Sequence, residues 1–312
     1  MLARYLRIGA VIELLAALAL AHGLHQAGVD RWLAIGLAAL LPFAVQGVPL
    51  AIEFVTGALI DRRPVARIGV LELVAVWWGE TWRSFTVFNI DQAWRADFPE
   101  RPVARDASRP TVLLIHGYMC NRATWRHWLT NGIPSHWNVA TVNLEPVFGA
   151  LEHYAEVVDE AVERLRDATG AERITLVCHS MGGLAARSYL RRHGHHAVQR
   201  VVTIDTPHHG TVFATLGHGP NARQMRNACE FVRKLAQDDE PVEFVCFASQ
   251  HDNLIVPRDN QILVGTEAVW FEKTGHLAMT ASDAVLRKLI EVVERPEPHA
   301  ATGEPAEAIL QR

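Results

Sequence analysis

The sequence predicts an α/β protein, a mostly parallel sheet with helices on both faces, preceded by hydrophobic N-terminal helices. Three observations predict it. Short runs that are almost wholly apolar recur between residues 111 and 272, too continuous for strands with one wet face. Segments with helical spacing alternate with them, as in sheets whose parallel strands are joined by helical crossovers. Residues 8–24 and 33–52 form two apolar stretches close to the length of a bilayer crossing.

The N-terminal stretches come first. Ile8–Leu24 is broken by Glu13 and His22, and a carboxylate in a span costs about 2.5–3.5 kcal/mol on insertion scales. Leu33–Ile52 is the stronger span despite Gln46, Pro42 and Pro49. Arg4 and Arg7 precede the pair, Arg31 beside Asp30 lies between, and Arg62, Arg63 and Arg67 follow. Two basic flanks around a nearly neutral connection predict a transmembrane hairpin with both ends cytoplasmic. Two rival readings are a signal peptide cleaved near Ala19-Leu20-Ala21 and a pair of buried helices in a soluble domain. Ile68–Trp82, with Trp77, Trp78 and Trp82, reads as an interfacial or a core helix. Asn89–Arg109, with Pro99 and Pro102, reads as a linker. The predicted organisation is an anchor over 1–67, an interfacial helix and linker over 68–109, a main domain over 110–294 and a disordered tail over 295–312.

Within the main domain, strands are expected at Thr111–Ile115, Val139–Leu144, Arg173–Cys178, Val198–Ile204, Val242–Ser249 and Ala268–Glu272. Helices are expected at Asn121–Thr130, Leu151–Ala168, Met181–Leu190 and Ala281–Glu294. Gly170 marks one C-terminus. Residues 212–239 interrupt the alternation, and Ala222–Ala236 reads as an amphipathic helix, either a lid or an ordinary packing helix.

Composition narrows the function. A chain of 312 residues has room for one large domain and an appendage, and a net charge of −4 gives no argument for a nucleic-acid partner. Cys120, Cys178, Cys229 and Cys246 show no metal spacing and no disulfide framework, so free thiols are expected.

Four chemistry-bearing positions stand just after predicted strands: His116, Ser180, Asp205 and Asp252. In such sheets ligands bind outside the carboxyl ends of the strands. Ser180 lies on a sharp strand-to-helix turn, with Gly182 and Gly183 behind it. That turn lifts a hydroxyl clear of the sheet and makes Ser180 the candidate nucleophile, against the plainer role of helix N-cap. His276, in the loop after the last strand, is the candidate base, and Asp252 the acid that would hold its tautomer. Asp205 is the alternative acid. His208, His209 and His251 are rival bases, set aside on chain order. Backbone N–H groups of Tyr118 and Met181 would form an oxyanion hole, and His116, Gly117, His179 and His208 are candidates to line the substrate loops.

From about Pro110 to Glu294 the chain resembles bacterial lipases and esterases of the α/β-hydrolase superfamily. The motifs are IHGY at Ile115–Tyr118, CHSMGG at Cys178–Gly183, DTPHHGT at Asp205–Thr211, HDNLIVP at His251–Pro257 and TGHLAM at Thr274–Met279. The resemblance implies an α/β-hydrolase fold and transfer of an acyl group to water through an acyl-enzyme on Ser180, with lipid or other hydrophobic esters as substrates. With the hairpin, it implies a site at a bacterial inner membrane, on the cytoplasmic side. Acyl transfer to another acceptor and a non-catalytic binding role are the competing classes. Two positions depart from the pattern. Cys178 stands where the elbow usually has glycine. Ala278 stands where some secreted lipases hold calcium with an aspartate, so neither a metal nor any other cofactor is expected.

Overall fold

A computed structural model describes residues 1–61, 68–237 and 242–296. Arg62, Arg63, Arg67, the end of the 212–239 segment and tail residues 297–312 lie outside them.

Among the described residues, six parallel strands form one sheet: β1 (Thr111–Ile115), β2 (Asn138–Val142), β3 (Ile174–His179), β4 (Val198–Ile204), β5 (Glu243–Ser249) and β6 (Glu267–Phe271), in the order β2-β1-β3-β4-β5-β6. Each is within a residue or two of its expected position. The central strands are buried on both faces, which is why they read as unbroken apolar runs. Alternate residues serve opposite faces. Leu113, Ile115, Leu176 and Cys178 pack with α7 (Leu151–Thr169) and α8 (Met181–His193). Val112, Leu114 and Val177 pack with α6 (Arg126–Asn131) and α11 (Asp283–Val293). Helix α7 ends at Gly170, which takes the left-handed conformation (φ 77°) that glycine adopts without a Cβ penalty.

Several local expectations need correction. Asn121–Thr130 is a 3₁₀ turn (Arg122–Trp125) running into α6 rather than one helix. Ala222–Ala236 is two short helices, α9 (Gly219–Gln224) and α10 (Glu230–Leu235). The chain leaves α9 because Thr211 pairs with residues 225–227: its N–H donates to the Met225 carbonyl at 2.8 Å and its carbonyl accepts from Asn227 at 3.2 Å. Asn89–Arg109 begins as helix, not as linker. A π-helical turn (Thr86–Asp91) leads into α5 (Gln92–Trp94), and Gln92 is held by Asn121 through backbone and side-chain bonds.

The N-terminal region also differs from two plain spans. Helix α1 covers Leu2–Gln26, but the second apolar run is interrupted, giving α2 (Arg31–Ala39) and α3 (Leu41–Ile60). Asp30 caps α2 by accepting from Trp32 and Leu33. By length and composition alone, α1 and α3 are long and apolar enough to cross a membrane. Each, however, bonds polar side chains to the rest of the protein. Asn89 donates to Glu13 at 2.7 Å, Arg7 donates to the Ala93 carbonyl at 2.6 Å, and Asn253 donates to Glu53 at 2.7 Å. Asp61, just past α3, makes a buried ion pair with Arg258 at 3.1 Å. Helix α4 (Val70–Phe85) lies between α3 and the main domain. Trp77 bonds the Gly47 carbonyl at 2.8 Å, and Phe43 stacks on Trp78, Trp82 and Phe85. Arg83 of α4 reaches the Thr124 carbonyl and the Thr280 hydroxyl at 2.8 and 3.1 Å.

The turn from β3 to α8 depends on glycine. A Cβ at Gly182 would stand 2.6 Å from the Ile115 carbonyl oxygen and 2.8 Å from that of His116, both fixed backbone. Gly182→Ala is therefore expected to destabilise the protein by about 1–3 kcal/mol. Thermal unfolding checks this; an unchanged midpoint would mean that the end of β1 yields.

Candidate active site

Ser180 occupies the strand-to-helix turn with φ 53° and ψ −126°, a conformation that L-residues rarely adopt. The surroundings over-determine it. Its N–H donates to the Ile204 carbonyl at 2.8 Å, and its own carbonyl accepts from Thr206 Oγ1 at 2.9 Å and from the Gly183 N–H at 3.0 Å. Gly117 comes close from the β1 side, where a Cβ would stand 2.9 Å from Ser180 Cβ. Cys178, in the place of the usual glycine, points into the core between sheet and helices. It is fully buried, and burial pushes its thiol above the ordinary range.

Tyr118 and Met181 flank the serine. Met181 is the first residue of α8, where a backbone N–H has no intrahelical acceptor and the helix dipole favours negative charge. Tyr118 sits at the other wall, and its hydroxyl both donates to the His218 carbonyl (2.8 Å) and accepts from the His218 N–H (2.9 Å).

The structure brings His276, Asp252 and Asp205 together. His276 Nδ1 lies 2.8 Å from Asp252 Oδ2 and 3.9 Å from Asp205 Oδ2. The other oxygen of Asp252 accepts from Leu254 (2.6 Å) and Ile255 (2.7 Å), so its carboxylate is held by two backbone donors. Asp205 accepts from Ser249 at 2.9 Å. Burial, and then the neighbouring Asp252, push Asp205 well above the usual carboxylate range. Two adjacent buried carboxyls do not both ionise readily, and the one hydrogen-bonded to the imidazole is Asp252. On His276, burial works downward, but attraction to Asp252, their hydrogen bond, and the charges of Glu80 and Glu53 outweigh it, so its pKa lies above the ordinary value. The imidazole and the two carboxylates bring ligand-type atoms within 4.8 Å of one another, a set a metal ion could use. Of the two contacts that His276 Nδ1 makes within the set, the shorter is the one to Asp252 Oδ2, at 2.8 Å.

The remaining candidates divide. His179 is buried with its ring 4.8 Å from that of His276, and its Nε2 is 3.2 Å from the His276 carbonyl. Desolvation holds it well below the usual histidine range, so it is a neutral neighbour. His116 is tied into its own loop: Nε2 accepts from Leu144 at 3.0 Å, Nδ1 lies 2.9 Å from the Gly117 carbonyl, and burial lowers it to about 4. His208 turns into the core, with Nε2 3.1 Å from Thr203 Oγ1. His251 accepts from the Lys273 N–H.

Two cavities meet at Ser180. One, of about 270 Å³, is walled by Val45, Pro49 and Leu50 of α3 and by Phe88. The other, of about 140 Å³, is walled by Phe213, Ala214, Met225 and Ile255. Both share Tyr118, Ser180, Leu254 and His276. The segment from 212 onward forms the second wall, and Asn221 ties it down through the Val147 carbonyl. Sequence reasoning missed the first wall altogether. Its only signal was two polar residues, Gln46 within the apolar run and Glu53 just beyond it.

Comparison with known proteins agrees with this architecture. Residues 110–219 match the alpha/beta hydrolase fold family. The lysosomal thioesterase PPT2 of Mus musculus is 26% identical over 121 residues, 36% of this chain and 38% of that protein, so the chain aligns with well under half of this relative. Among solved structures, the mature lipase BlEst2 of Bacillus licheniformis superposes with a TM-score of 0.54 at 16% identity, over 62% of this chain and 95% of that one. Lipase B of Aspergillus fumigatus superposes with a TM-score of 0.57 at 15% identity, over 77% of this chain and 64% of that one. The chain has the α/β-hydrolase fold.

Asp252→Asn removes the strongest influence holding a proton on His276. The His276 titration midpoint, followed by NMR in isotopically labelled protein, is expected to fall in Asp252→Asn and to move less in Asp205→Asn. The reverse order would make Asp205 the acid.

Proposed function

We propose that this protein is a membrane-associated serine hydrolase that cleaves carboxylic esters, thioesters among them, of hydrophobic acyl groups. The observation that carries the reading is the placing of Ser180 where two cavities meet, with His276 lining both and bonded to Asp252 at 2.8 Å. One cavity suits the acyl chain and the other the leaving group. In the proposed mechanism Ser180 Oγ attacks the acyl carbonyl as His276 takes its proton. Asp252 holds the tautomer and stabilises the imidazolium. The N–H groups of Tyr118 and Met181 donate to the carbonyl oxygen as charge develops on it, where one such donor is worth roughly 3–4 kcal/mol. His276 returns the proton to the leaving alkoxide or thiolate, and water then releases the acid from Ser180 by the same steps. The lipases and the thioesterase among the similar proteins support this class of chemistry.

The membrane reading rests on the outer face of the N-terminal helices. Ile8, Val11, Ile12, Leu15 and Leu18 of α1 and Val48, Ile52 and Val55 of α3 are exposed. The first half of α1 is bonded to the protein as far as Glu13, and α2 packs back against α1. Leu14–Gln26 then provides about 20 Å of helix at 1.5 Å per residue, short of the ~30 Å hydrocarbon core. This supports a hairpin seated in one leaflet, with the catalytic opening at the lipid surface, rather than two complete crossings. The arginines at 4, 62, 63 and 67 favour the anionic cytoplasmic leaflet.

Hydrolysis of p-nitrophenyl esters and acyl thioesters of graded chain length, by detergent-solubilised protein, tests the chemistry. Ser180→Ala is expected to lose at least about 10³-fold in kcat, and full activity in that variant would refute the nucleophile. The base must be neutral to act, and its pKa is raised. kcat/KM is therefore expected to fall on acidification with a midpoint above the ordinary histidine value of 6.5. For the membrane reading, a cysteine at Ala27 should resist an impermeant maleimide on both sides of sealed vesicles. Labelling from the face opposite the hydrolase domain would establish a full crossing.

A further inference from the structure

The loop that carries His276 is held from outside the hydrolase domain. Three consecutive backbone N–H groups, those of His276, Leu277 and Ala278, would otherwise be buried donors, and each has a partner. Leu277 and Ala278 donate to the two carboxylate oxygens of Glu80, each at 2.8 Å. His276 donates to Asn253 Oδ1 at 3.1 Å. The amide of Asn253 has its orientation set in turn, because its nitrogen donates to Glu53 Oε2 at 2.7 Å. A carboxylate on the nitrogen side leaves only the amide oxygen to face His276. Glu53 belongs to α3 and Glu80 to α4.

The fit is close. Glu80 is 1% exposed and Asn253 fully buried. Residue 275 is glycine where a Cβ would stand 2.5 Å from Glu80 Oε2, so the carboxylate packs directly on the loop. A buried carboxylate is costly unless its oxygens are bonded. Here both oxygens are spent on two adjacent amides beside a candidate base, where an apolar side chain would serve packing alone.

Resting on the hydrolase reading, we propose that Glu53 and Glu80 are positioning residues through which the N-terminal helices hold the His276 loop in its working geometry. The hydrolase core is then incomplete without α3 and α4, and the element that faces lipid also sets the base. The charged and titratable groups facing Glu80 are His276, Asp252, Asp205, Glu53 and, from its own helix, Arg83. Loss of the Glu80 charge would therefore leave the imidazolium less stabilised.

The test uses the full chain in detergent and p-nitrophenyl butyrate, with kcat, KM, the acid limb of kcat/KM and the thermal midpoint measured for each variant. Glu80→Gln is expected to lower kcat by about 10–100-fold, the scale of a misplaced catalytic group, with KM within about twofold and the acid limb shifted to lower pH. Glu80→Asp should recover part of kcat. Glu53→Leu should lower kcat about tenfold on the same grounds, and Glu53→Gln, which keeps an acceptor for Asn253, should recover it. A folded Glu80→Gln variant with the wild-type kcat and acid limb would overturn the proposal. So would variants whose activity follows only their thermal midpoints. If Glu80→Gln does not fold, the Glu53 pair decides: wild-type kcat in Glu53→Leu overturns the clamp. Ser180→Ala separates the two levels. Full activity there brings down the hydrolase reading and the clamp with it, whereas wild-type kcat in the clamp variants beside an inactive Ser180→Ala brings down the clamp alone.

Discussion

The turn at Ser180 is the constraint on which the rest depends. A left-handed φ at a serine is unfavourable, and it persists only because β3, β4 and α8 converge on it with no freedom to relax. Gly117, Gly182 and Gly183 are required because the turn brings backbone against backbone and against Thr206. The same parallel sheet delivers Asp205, Asp252 and the His276 loop to the edge where the serine emerges. The site is thus a consequence of strand order, each residue standing at the end of a strand that the core has already fixed.

Electrostatics then assigns roles within the cluster. Two carboxyls approach one imidazole in a space with little water, and charge on both would be costly. The structure resolves this by geometry. Asp252 has two backbone donors and the shorter contact to His276. Asp205 is pushed upward by burial and by its neighbour. The buried histidines around them, His116, His179 and His208, are held below their ordinary range by desolvation. His276, the one imidazole paired with a carboxylate in this cluster, is raised.

The N-terminal helices have two faces with different partners. Apolar side chains such as Ile12, Leu15, Ile52 and Val55 are exposed, while Glu13 and Gln46 face Asn89, and Glu53 and Glu80 face the hydrolase domain. Hydropathy averages over both faces, so it registers only a long apolar run. The direction of each polar side chain carries the rest, and it makes α3 a wall of the cavity beside Ser180.

The sequence by itself determined the sheet, its six strands within a residue or two, the helices α7, α8 and α11, and the placing of Ser180, Asp252 and His276 after strands of that sheet. These are legible because parallel strands buried on both faces must be apolar throughout, amphipathic helices must repeat near 3.6 residues, and a sharp turn must use small residues. Only the tertiary structure decided the remainder. It distinguished Asp252 from Asp205 by about an ångström of separation from His276. It broke the helix expected at Ala222–Ala236, because Thr211, outside that segment, pairs with residues 225–227. It turned a stretch that read as linker into docked helix through Gln92 and Asn121. It brought Glu53 to Asn253 and Glu80 to the His276 loop, partners 200 and 197 residues away. In each case the deciding contact is between residues remote along the chain, and local pattern carries no information about which remote surface a side chain will meet.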